Sequence, residues 1–209
     1  MRLTVCVVIP CAAKHEALLP ALIQRLARQT SRPDQILVAI SGTSRVPELG
    51  ATFPTRVLVD PVTRNAAQNR NRATAHVTSD IVLYQDADDL PHPQRVELVR
   101  AAFERFAIKH LMHTFATPPA TTWEHDRFDH TYALGLLRYK PTYDFEFGLT
   151  NGNPAVATSL LRRGARWPEH LRIGEDVAFN VQACALSGGR NAALPLPLLL
   201  YRQSLSATS

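Results

Sequence analysis

IVLYQDADDLPHP, residues 81–93, is the stretch that decides the fold. Four apolar residues, Ile81 to Tyr84, have the composition of a buried strand, and three carboxylates, those of Asp86, Asp88 and Asp89, follow it closely. Parallel sheets bury both faces of their strands, and the carboxyl ends of those strands open into the cleft where α/β proteins bind ligands. The pattern therefore predicts a parallel sheet with an acidic ligand site at its edge.

Three acids at such an edge repel one another unless positive charge lies between them. Mg²⁺ or Mn²⁺ would supply that charge, because both prefer oxygen ligands and share their coordination with substrate phosphates. An Asp-rich turn that caps the helix beginning near Pro93 explains the same spacing equally well. Spacing alone leaves both interpretations open.

Apolar strands alternate with amphipathic helices along the rest of the chain, as in βαβ units. The predicted strands cover residues 3–9, 35–40, 56–59, 81–85 and 110–115. The predicted helices cover residues 16–28, 65–76, 94–106 and 176–186, and Gly188 is placed to cap the last of them. The helix at 65–76 has little apolar stripe, which indicates that it faces solvent or a polar ligand.

Two later segments do not follow this alternation. Residues 117–150 are irregular, and we interpret them as an inserted lobe that covers the cleft. Residues 192–201 are apolar, but they are too few to span a membrane and are interrupted by Pro195 and Pro197. We predict an α/β fold with one domain over residues 1–209, in which helices flank a mainly parallel central sheet.

Composition is that of a globular domain, with 45% hydrophobic and 20% charged residues among 209. The formal net charge is +5, and only Lys14, Lys109 and Lys140 are lysines, so the positive field is mostly guanidinium. Arginine binds phosphate through a planar fork, which favours an anionic partner such as a sugar nucleotide, a nucleic acid or an acidic lipid surface. An ordinary excess of surface arginine would give the same composition.

The cysteines and histidines form no recognisable metal motif. Cys6, Cys11 and Cys184 are widely spaced without a CxxC pair, so neither a disulfide framework nor a zinc site is predicted, and a reducing, cytoplasmic setting follows. A zinc cluster can be imagined among the acids and histidines of residues 110–130. Its spacing fits no tight zinc pattern, and we expect scattered loop or surface histidines instead. No signal peptide or transmembrane segment is apparent.

Four motifs in this order resemble those of the family 2 glycosyltransferases, which have the GT-A fold, a Rossmann-like α/β domain. They are VVIPC at 7–11, NRNRATAHVTSDIVLYQDADDLPHP at 69–93, NGNPAV at 151–156 and GEDVAFNVQA at 174–183. The resemblance covers roughly residues 1–100 and 151–186 and leaves the intervening lobe unmatched. It implies a metal-dependent, inverting hexosyltransferase that moves a sugar from a UDP-sugar or another NDP-sugar to a hydroxyl of a glycan, lipid or protein-linked acceptor.

The resemblance also assigns roles to individual residues. It places the donor on Pro10, Arg70, Asn71, Asp86 and Asp88. It places Mn²⁺ or Mg²⁺ chiefly on Asp88, with Asp86 and Asp89 as further metal contacts. Residues 1–115 would bind the nucleotide sugar and residues 116–209, including the inserted lobe, would bind the acceptor.

Catalysis would fall to Glu175 and Asp176, with Asp176 as the general base. Inversion requires the acceptor hydroxyl to attack from the face opposite the departing diphosphate, so a base must lie across the cleft from the metal. An Asp at the start of a helix is also a common cap, and the helix dipole would lower its pKa.

Two departures from the family pattern leave parts of the site unassigned. The second strand and the residues after it, ILVAISGTS, contain no acid to contact the donor base, and no histidine follows Tyr201 and Arg202 as a further metal ligand. Aromatic side chains are candidates for sugar contacts. They are Trp123, Phe128, Tyr132, Tyr143, Phe145, Phe147 and Trp167.

Two other function classes are compatible with parts of the pattern. A nucleotidyltransferase would also use a nucleotide and a metal, but the chain lacks a glycine- and lysine-rich phosphate loop. A non-catalytic, arginine-rich polyanion-binding domain would explain the charge, but not three acids at the mouth of the sheet. We therefore expect a nucleotide sugar and a glycan acceptor as partners and no nucleic acid, and the chain could be one domain of a larger glycosylation protein.

Overall fold

The computed structural model describes residues 2–50, 53–118, 123, 125–140 and 153–202. The strands in these ranges are Val5–Ala12 (β1), Gln35–Ser41 (β2), Thr55–Asp60 (β3), Ile81–Tyr84 (β4), Leu90–Pro91 (β5), His110–Ala116 (β6), Arg138–Tyr139 (β7), Ala155–Ala157 (β8) and Asn191–Leu200 (β9). The helices are Leu19–Ala27 (α1), Ala66–Thr74 (α2), Arg95–Phe106 (α3), His130–Gly135 (α4), Thr158–Arg162 (α5) and Glu175–Ser187 (α6), and a 3₁₀ helix, Ala13–Leu18, precedes α1.

One mixed sheet runs through the domain in the order β3-β2-β1-β4-β8-β6-β9-β5, with β7 paired to β9. Strands β1 to β4 pair in parallel, as predicted. The three-residue strand β8 then inserts antiparallel between β4 and β6. The predicted α/β fold with helices flanking a central sheet is confirmed, and the antiparallel insertion of β8 is a feature that the sequence analysis does not predict.

Side chains alternate between two apolar layers because successive residues of a strand point to opposite faces. Val5, Val7 and Ile9 of β1 face the layer formed with α1, α3 and α4. Cys6 and Val8 face the layer formed with α2, α5 and α6. The sheet is thus covered on both sides, which fixes the register of β1 and the position of its carboxyl end.

Strand β9 is the largest difference from the sequence prediction, because residues 192–201 were not expected to form a strand. Its pairing with β6 skips from Leu194 to Pro197, so the ladder is irregular where Pro195 and Pro197 lie. Proline has no N–H to donate, and a bulge removes the need for one. Strand β9 is buried between β6 and its other neighbours, β5 and β7, and this burial stabilises it despite its two prolines.

The described part of the predicted lobe is not separate from the core. Helix α4 buries Ala133 and Leu134 in the layer shared with α1 and α3, and β7 adds a strand to β9. Residues 141–150 lie outside the described ranges. Among the described helices, none has both the length and the apolar character needed to cross a bilayer.

Candidate active site

A cavity of about 290 Å³ is lined by the end of β1, the turn after β4 and the first residues of α2 and α6. Six of the residues singled out in the sequence line it: Pro10, Arg70, Asp86, Asp88, Asp89 and Glu175. The fold therefore brings residues that are up to 165 positions apart in the chain to one edge of the sheet, where β1 and β4 end.

Arg70 lies at the centre of this cluster, and its side chain is only 3% exposed. Its Nη2 atom is 2.7 Å from Asp86 Oδ1, and its Nη1 atom is 3.4 Å from Glu175 Oε1. The guanidinium also lies 4.1 Å from the centroid of the Trp167 ring. Arg70 thus holds the acidic turn and the start of α6 together, and its guanidinium packs on the Trp167 ring.

Asn153 orients two of the three aspartates. Its Nδ2 donates to Asp86 Oδ2 and to Asp89 Oδ2, both at 3.2 Å, and its Oδ1 accepts from the Asp86 backbone N–H at 2.6 Å. Asp89 Oδ1 also accepts from the backbone N–H of Arg202 at 3.2 Å. Burial, together with the charge of Asp86, raises the pKa of the Asp89 carboxyl to about 7. Asp86 and Asp89 are therefore largely committed to protein donors.

Asp88 is the carboxylate best placed for a ligand. Its side chain receives no side-chain hydrogen bond or ion pair from the described residues, although burial and the charge of Asp86 raise its pKa. Within the described ranges no group of three or more His, Cys, Asp or Glu side chains is arranged to hold a metal ion. The residues present therefore fit a metal held by Asp88 with donors from a substrate and water, rather than by three carboxylates.

Arg95 supports the acidic turn from inside the domain, and it is fully buried. Its guanidinium donates to Gln85 Oε1 at 2.6 Å, to the carbonyl oxygens of Tyr84 and Asn153 at 2.9 and 2.8 Å, and to His113 Nε2 at 3.0 Å. Burial lowers the pKa of Arg95 to about 9, and the nearby aspartates oppose that effect. The end of β4 and the residue that orients Asp86 are thus fixed by one side chain.

The Glu-Asp pair lies at the first turn of α6, which begins after Gly174. Glu175 lines the cavity, whereas Asp176 is not among the residues that line it and accepts a hydrogen bond from the Val177 N–H at 2.8 Å. Burial raises the pKa of Asp176, and the charge of Glu175 adds to this. Desolvation therefore outweighs the hydrogen bond from the Val177 N–H and the charge of Arg70, which both lower the pKa of Asp176.

Asn71 faces away from the cavity. Its Nδ2 donates to the Trp167 carbonyl and to Glu169 Oε1, both at 2.8 Å, and its Oδ1 accepts from the Trp167 N–H at 3.1 Å. Trp167 is 1% exposed and stacks on Phe179 with ring centroids 4.1 Å apart. Asn71 thus secures the segment beneath Arg70, and Trp167 is packed rather than open to a sugar.

The other candidate aromatics divide by burial. Trp123 is buried against His92, Phe128 also packs on His92, and Tyr132 is 64% exposed. Tyr143, Phe145 and Phe147 lie outside the described residues.

The histidines of β6 correct the expectation of scattered loop or surface residues. His110 and His113 are buried, and burial lowers their pKa values to about 4 and about 3, respectively. His110 contacts Asn180 at 3.0 Å, whereas His113 accepts from Arg95. They serve as neutral hydrogen-bonding groups in the core, and the described residues contain no zinc cluster around them.

Several cavity residues were not singled out from the sequence. His15, Arg64, Asn69 and Tyr201 also line it. The polar character of the 65–76 helix was the available signal for Asn69, which is buried and donates to Ser41 Oγ at 2.9 Å and to the Cys11 carbonyl at 3.2 Å. His15 and Arg64 follow β1 and β3 without a pattern of their own, so only the fold brings them together.

Comparisons with solved structures agree with this architecture. S. aureus TarS 1–349 in complex with UDP is 16% identical with a TM-score of 0.77, and the match covers 95% of this chain and 60% of that one. Its complex with UDP-GlcNAc matches with 16% identity and a TM-score of 0.78 over 99% and 61% of the two chains. The present chain thus spans about 60% of the TarS chain.

A second solved protein has a similar fold. Glucosyl-3-phosphoglycerate synthase from Mycobacterium tuberculosis, in complex with Mg²⁺ and UDP, is 19% identical with a TM-score of 0.67 over 96% of this chain and 72% of that one. A comparison with curated protein sequences gave no match. The family model for glycosyl transferase family 2 matches residues 6–167. Because that range holds most of the chain and all of the acidic turn, the protein belongs to glycosyl transferase family 2.

Proposed function

We propose that this protein is a metal-dependent glycosyltransferase of the hexosyltransferase type, which moves a sugar from a nucleotide-sugar donor to a hydroxyl acceptor with inversion at the anomeric carbon. One observation carries the proposal. A buried arginine, Arg70, bridges Asp86 and Glu175 in a cavity at the carboxyl edge of the sheet, in a chain of glycosyl transferase family 2.

Arg70 is the proposed contact for the donor diphosphate. Its fork is held by two carboxylates, so it enters the reaction already oriented, and a guanidinium matches phosphate geometry through paired N–H groups. Asp86 is the proposed contact for the ribose through the accepting capacity that its carboxylate keeps beside the bonds from Arg70 and Asn153. Pro10 forms the wall at the end of β1. The proposed role of Asn71 is to hold the Trp167 segment under Arg70.

Asp88 is the proposed holder of Mn²⁺ or Mg²⁺, with Asp86 and Asp89 orienting the turn around it. A bound divalent ion would stabilise the negative charge on the departing nucleoside diphosphate. The raised pKa of Asp88 reflects burial beside another carboxylate, a situation that a cation relieves.

Asp176 is the proposed general base for the acceptor hydroxyl, and Glu175 positions Arg70. A base gains from a pKa raised toward neutrality, and burial acts on Asp176 in that direction. Residues 1–115 would bind the nucleotide sugar and residues 116–209 the acceptor, since α6 brings the proposed base from the second part. A glycan acceptor, a cytoplasmic setting and membership of a larger protein stay predictions.

The test is donor turnover with a panel of UDP-, GDP-, ADP-, CDP- and TDP-sugars in Mn²⁺ or Mg²⁺, followed as release of nucleoside diphosphate. We expect turnover of one donor, abolished by EDTA, and losses of at least about a hundredfold in kcat for Asp88→Asn and Asp176→Asn. Glu48→Gln, an exposed acid outside the cavity, is the control and should turn over normally.

Other products would contradict the proposal. Release of pyrophosphate from a nucleoside triphosphate would identify a nucleotidyltransferase. Salt-sensitive binding of polyanions with no donor turnover would identify a binding domain. Full activity of both aspartate variants would refute the assigned roles.

A further inference from the structure

Arg70 has a third partner besides Asp86 and Glu175, and that partner is an aromatic ring. Its Cζ atom lies over the face of the Trp167 ring, 4.1 Å from the centroid. Two of the five guanidinium N–H groups donate to the carboxylates, whereas Nε is buried without a hydrogen-bond partner among the described residues. Two contacts at the Nη atoms leave the guanidinium able to tilt about the line that joins them, so the ring is the contact that fixes its plane.

The Trp167 ring is held in turn by other aromatic side chains. It stacks on Phe179 with ring centroids 4.1 Å apart and an interplanar angle of 2°, and Tyr84 packs edge-on against it with a centroid distance of 5.0 Å. Phe179 lies four residues after Glu175 on α6, and residues at that spacing share one face of a helix. Helix α6 therefore contacts Arg70 directly through Glu175 and indirectly through Phe179 and Trp167.

Packing alone does not explain a tryptophan at this position. Its Nε1 is buried and makes no hydrogen bond of acceptable geometry with the described residues. The nearby Tyr84 hydroxyl contacts Thr74 Oγ1 at 3.1 Å; burial raises the pKa of Tyr84 to about 12, and Thr74 and the indole N–H oppose that effect. Phenylalanine would fill much of the same space without burying an N–H group. What tryptophan adds is the aromatic face that attracts a cation most strongly.

We propose that Trp167 is a positioning residue for glycosyl transfer, and that its ring holds the guanidinium of Arg70 in the plane that receives the donor diphosphate. This inference rests on the proposed function, in which Arg70 contacts the diphosphate. Trp167 acts through Arg70, because it is 1% exposed and is not among the residues that line the cavity. The attraction between a ring face and a cation depends on the electron density of the ring as well as on its shape.

The experiment lowers the electron density of the ring and leaves its shape nearly unaltered. The full chain is prepared with tryptophan, 5-fluorotryptophan or 5,6,7-trifluorotryptophan, and calorimetry measures the Kd of UDP, GDP, ADP, CDP and TDP in Mn²⁺. For the nucleotide that binds most tightly, we expect the Kd to rise stepwise with fluorination, by about three- to tenfold in the trifluoro protein.

The chain has two tryptophans, so the Trp167→Phe protein carries fluorine at Trp123 alone and is the matched control for fluorination. Its Kd should not change along the series. Trp167→Leu, which removes the ring face, should weaken nucleotide binding about tenfold, and Trp167→Phe should recover most of that loss. Phe103→Leu removes a buried aromatic ring from the apolar layer on the other side of the sheet, and it should lose stability without a change in Kd.

Arg70→Gln separates this inference from the proposed function. If Arg70→Gln weakens nucleotide binding whereas fluorination of Trp167 lowers only the thermal stability, the ring is a packing element, the inference is overturned and the proposed function stands. Nucleotide affinity unaffected by Arg70→Gln would overturn both the diphosphate role of Arg70 and the inference, and donor turnover would then decide whether the proposed transferase survives.

Two further results would count against Trp167. An equal rise of Kd with fluorination in the Trp167→Phe protein would assign the effect to Trp123 and overturn the inference. Failure of the wild type to bind any of the five nucleotides would overturn the proposed donor site and the inference with it. Circular dichroism checks that every protein is folded, and the fluorinated rings decide the question if Trp167→Leu does not fold.

Discussion

Two buried arginines, Arg70 and Arg95, differ in the kind of partner that stabilises their charge. Arg70 has carboxylate partners and faces the cavity. Among the described residues, the hydrogen-bond partners of Arg95 are all neutral, since the depressed pKa of His113 keeps that imidazole uncharged. The charge of Arg95 is balanced at longer range by Asp86 and Asp89. The acidic turn therefore stabilises the buried guanidinium of Arg95 and also lines the cavity.

Arg95→Gln should lower the free energy of unfolding by about 3 kcal/mol or more, because four acceptors lose a buried donor. Arg95→Lys should recover little of this, since an ammonium lacks the planar fork. Urea denaturation measures both, and Arg105→Gln, an exposed position of the same helix, provides the control. Equal stability of Arg95→Gln and wild type would contradict this account of the interior network.

His110 should make the protein sensitive to acid. Its pKa in the folded state is about 4, below the ordinary value of 6.5, so between these values the unfolded chain binds a proton that the folded chain does not. Stability from this residue is complete above pH 6.5 and falls as the pH decreases, by at most about 1.4 kcal/mol per pH unit. Urea denaturation from pH 7.5 to 4.5 should show a smaller loss for His110→Gln than for wild type.

The exposed His76→Gln is the control for that series and should follow wild type. Parallel curves for His110→Gln and wild type would mean that His110 is protonated as easily in the folded state as in the unfolded chain.

At the scale of elements, the sequence predicted the polar surface of helix α2 but not the direction of each of its side chains. Its polarity indicated a polar ligand, and its buried face indeed presents Asn69 and Arg70 to the cavity. The neighbouring Asn71 points the other way, because successive residues of a helix diverge by about 100°. A motif therefore predicts the position of the helix in the fold, whereas the direction of each side chain depends on how the helix is rotated about its axis against the sheet.

Asn71→Ala tests that distinction. Loss of three hydrogen bonds to the Trp167 segment should lower the free energy of unfolding by about 2 kcal/mol. The tryptophan fluorescence spectrum should blue-shift or broaden only slightly, because Trp167 stays stacked on Phe179. Thermal and urea denaturation provide the measurement. Gln68→Ala, which removes part of the capping box on the same helix, is a control for general weakening of α2. Normal stability with impaired UDP binding would instead support a direct donor contact.

The strands that the sequence did not reveal share a physical cause. Strand β9 has two prolines, and β8 has three residues, so neither carries a local pattern strong enough to be recognised. Both are sustained by neighbours from distant parts of the chain. Local patterns predicted β1, β2, β3, β4 and β6, and the glycine cap at Gly188 is confirmed by its left-handed backbone.

The whole molecule is tied together by strands from both ends of the sequence. Strand β8 pairs with β4 on one side and β6 on the other, so in the described part of the sheet a segment from the second half of the chain joins β6 to the first four strands. The cavity likewise combines residues from both parts of the chain, because Arg70 pairs with Glu175 and Asp86 accepts a hydrogen bond from Asn153. The motif order predicted this meeting, but not that β8 and Asn153 would carry it.

A fragment of residues 2–118 should therefore fail to fold alone, since the edge of β4 and both edges of β6 would be exposed. Size-exclusion chromatography and near-ultraviolet circular dichroism should show an aggregated or unfolded chain. The control is the full chain with a protease site inserted after Pro118 and cleaved after folding, which should keep its two pieces together. A compact, monomeric fragment with a cooperative transition would contradict this view.

The placement of β8 also has a consequence for synthesis on the ribosome. About 70 residues separate β4 from β8, which corresponds to roughly 4 to 14 s of translation at 5–20 residues per second. During that interval β1 to β4 can pair, but the apolar edge of β4 has no neighbour. Residues 155–157 are the segment that covers this edge, so the nascent chain exposes an unpaired apolar strand edge until they emerge.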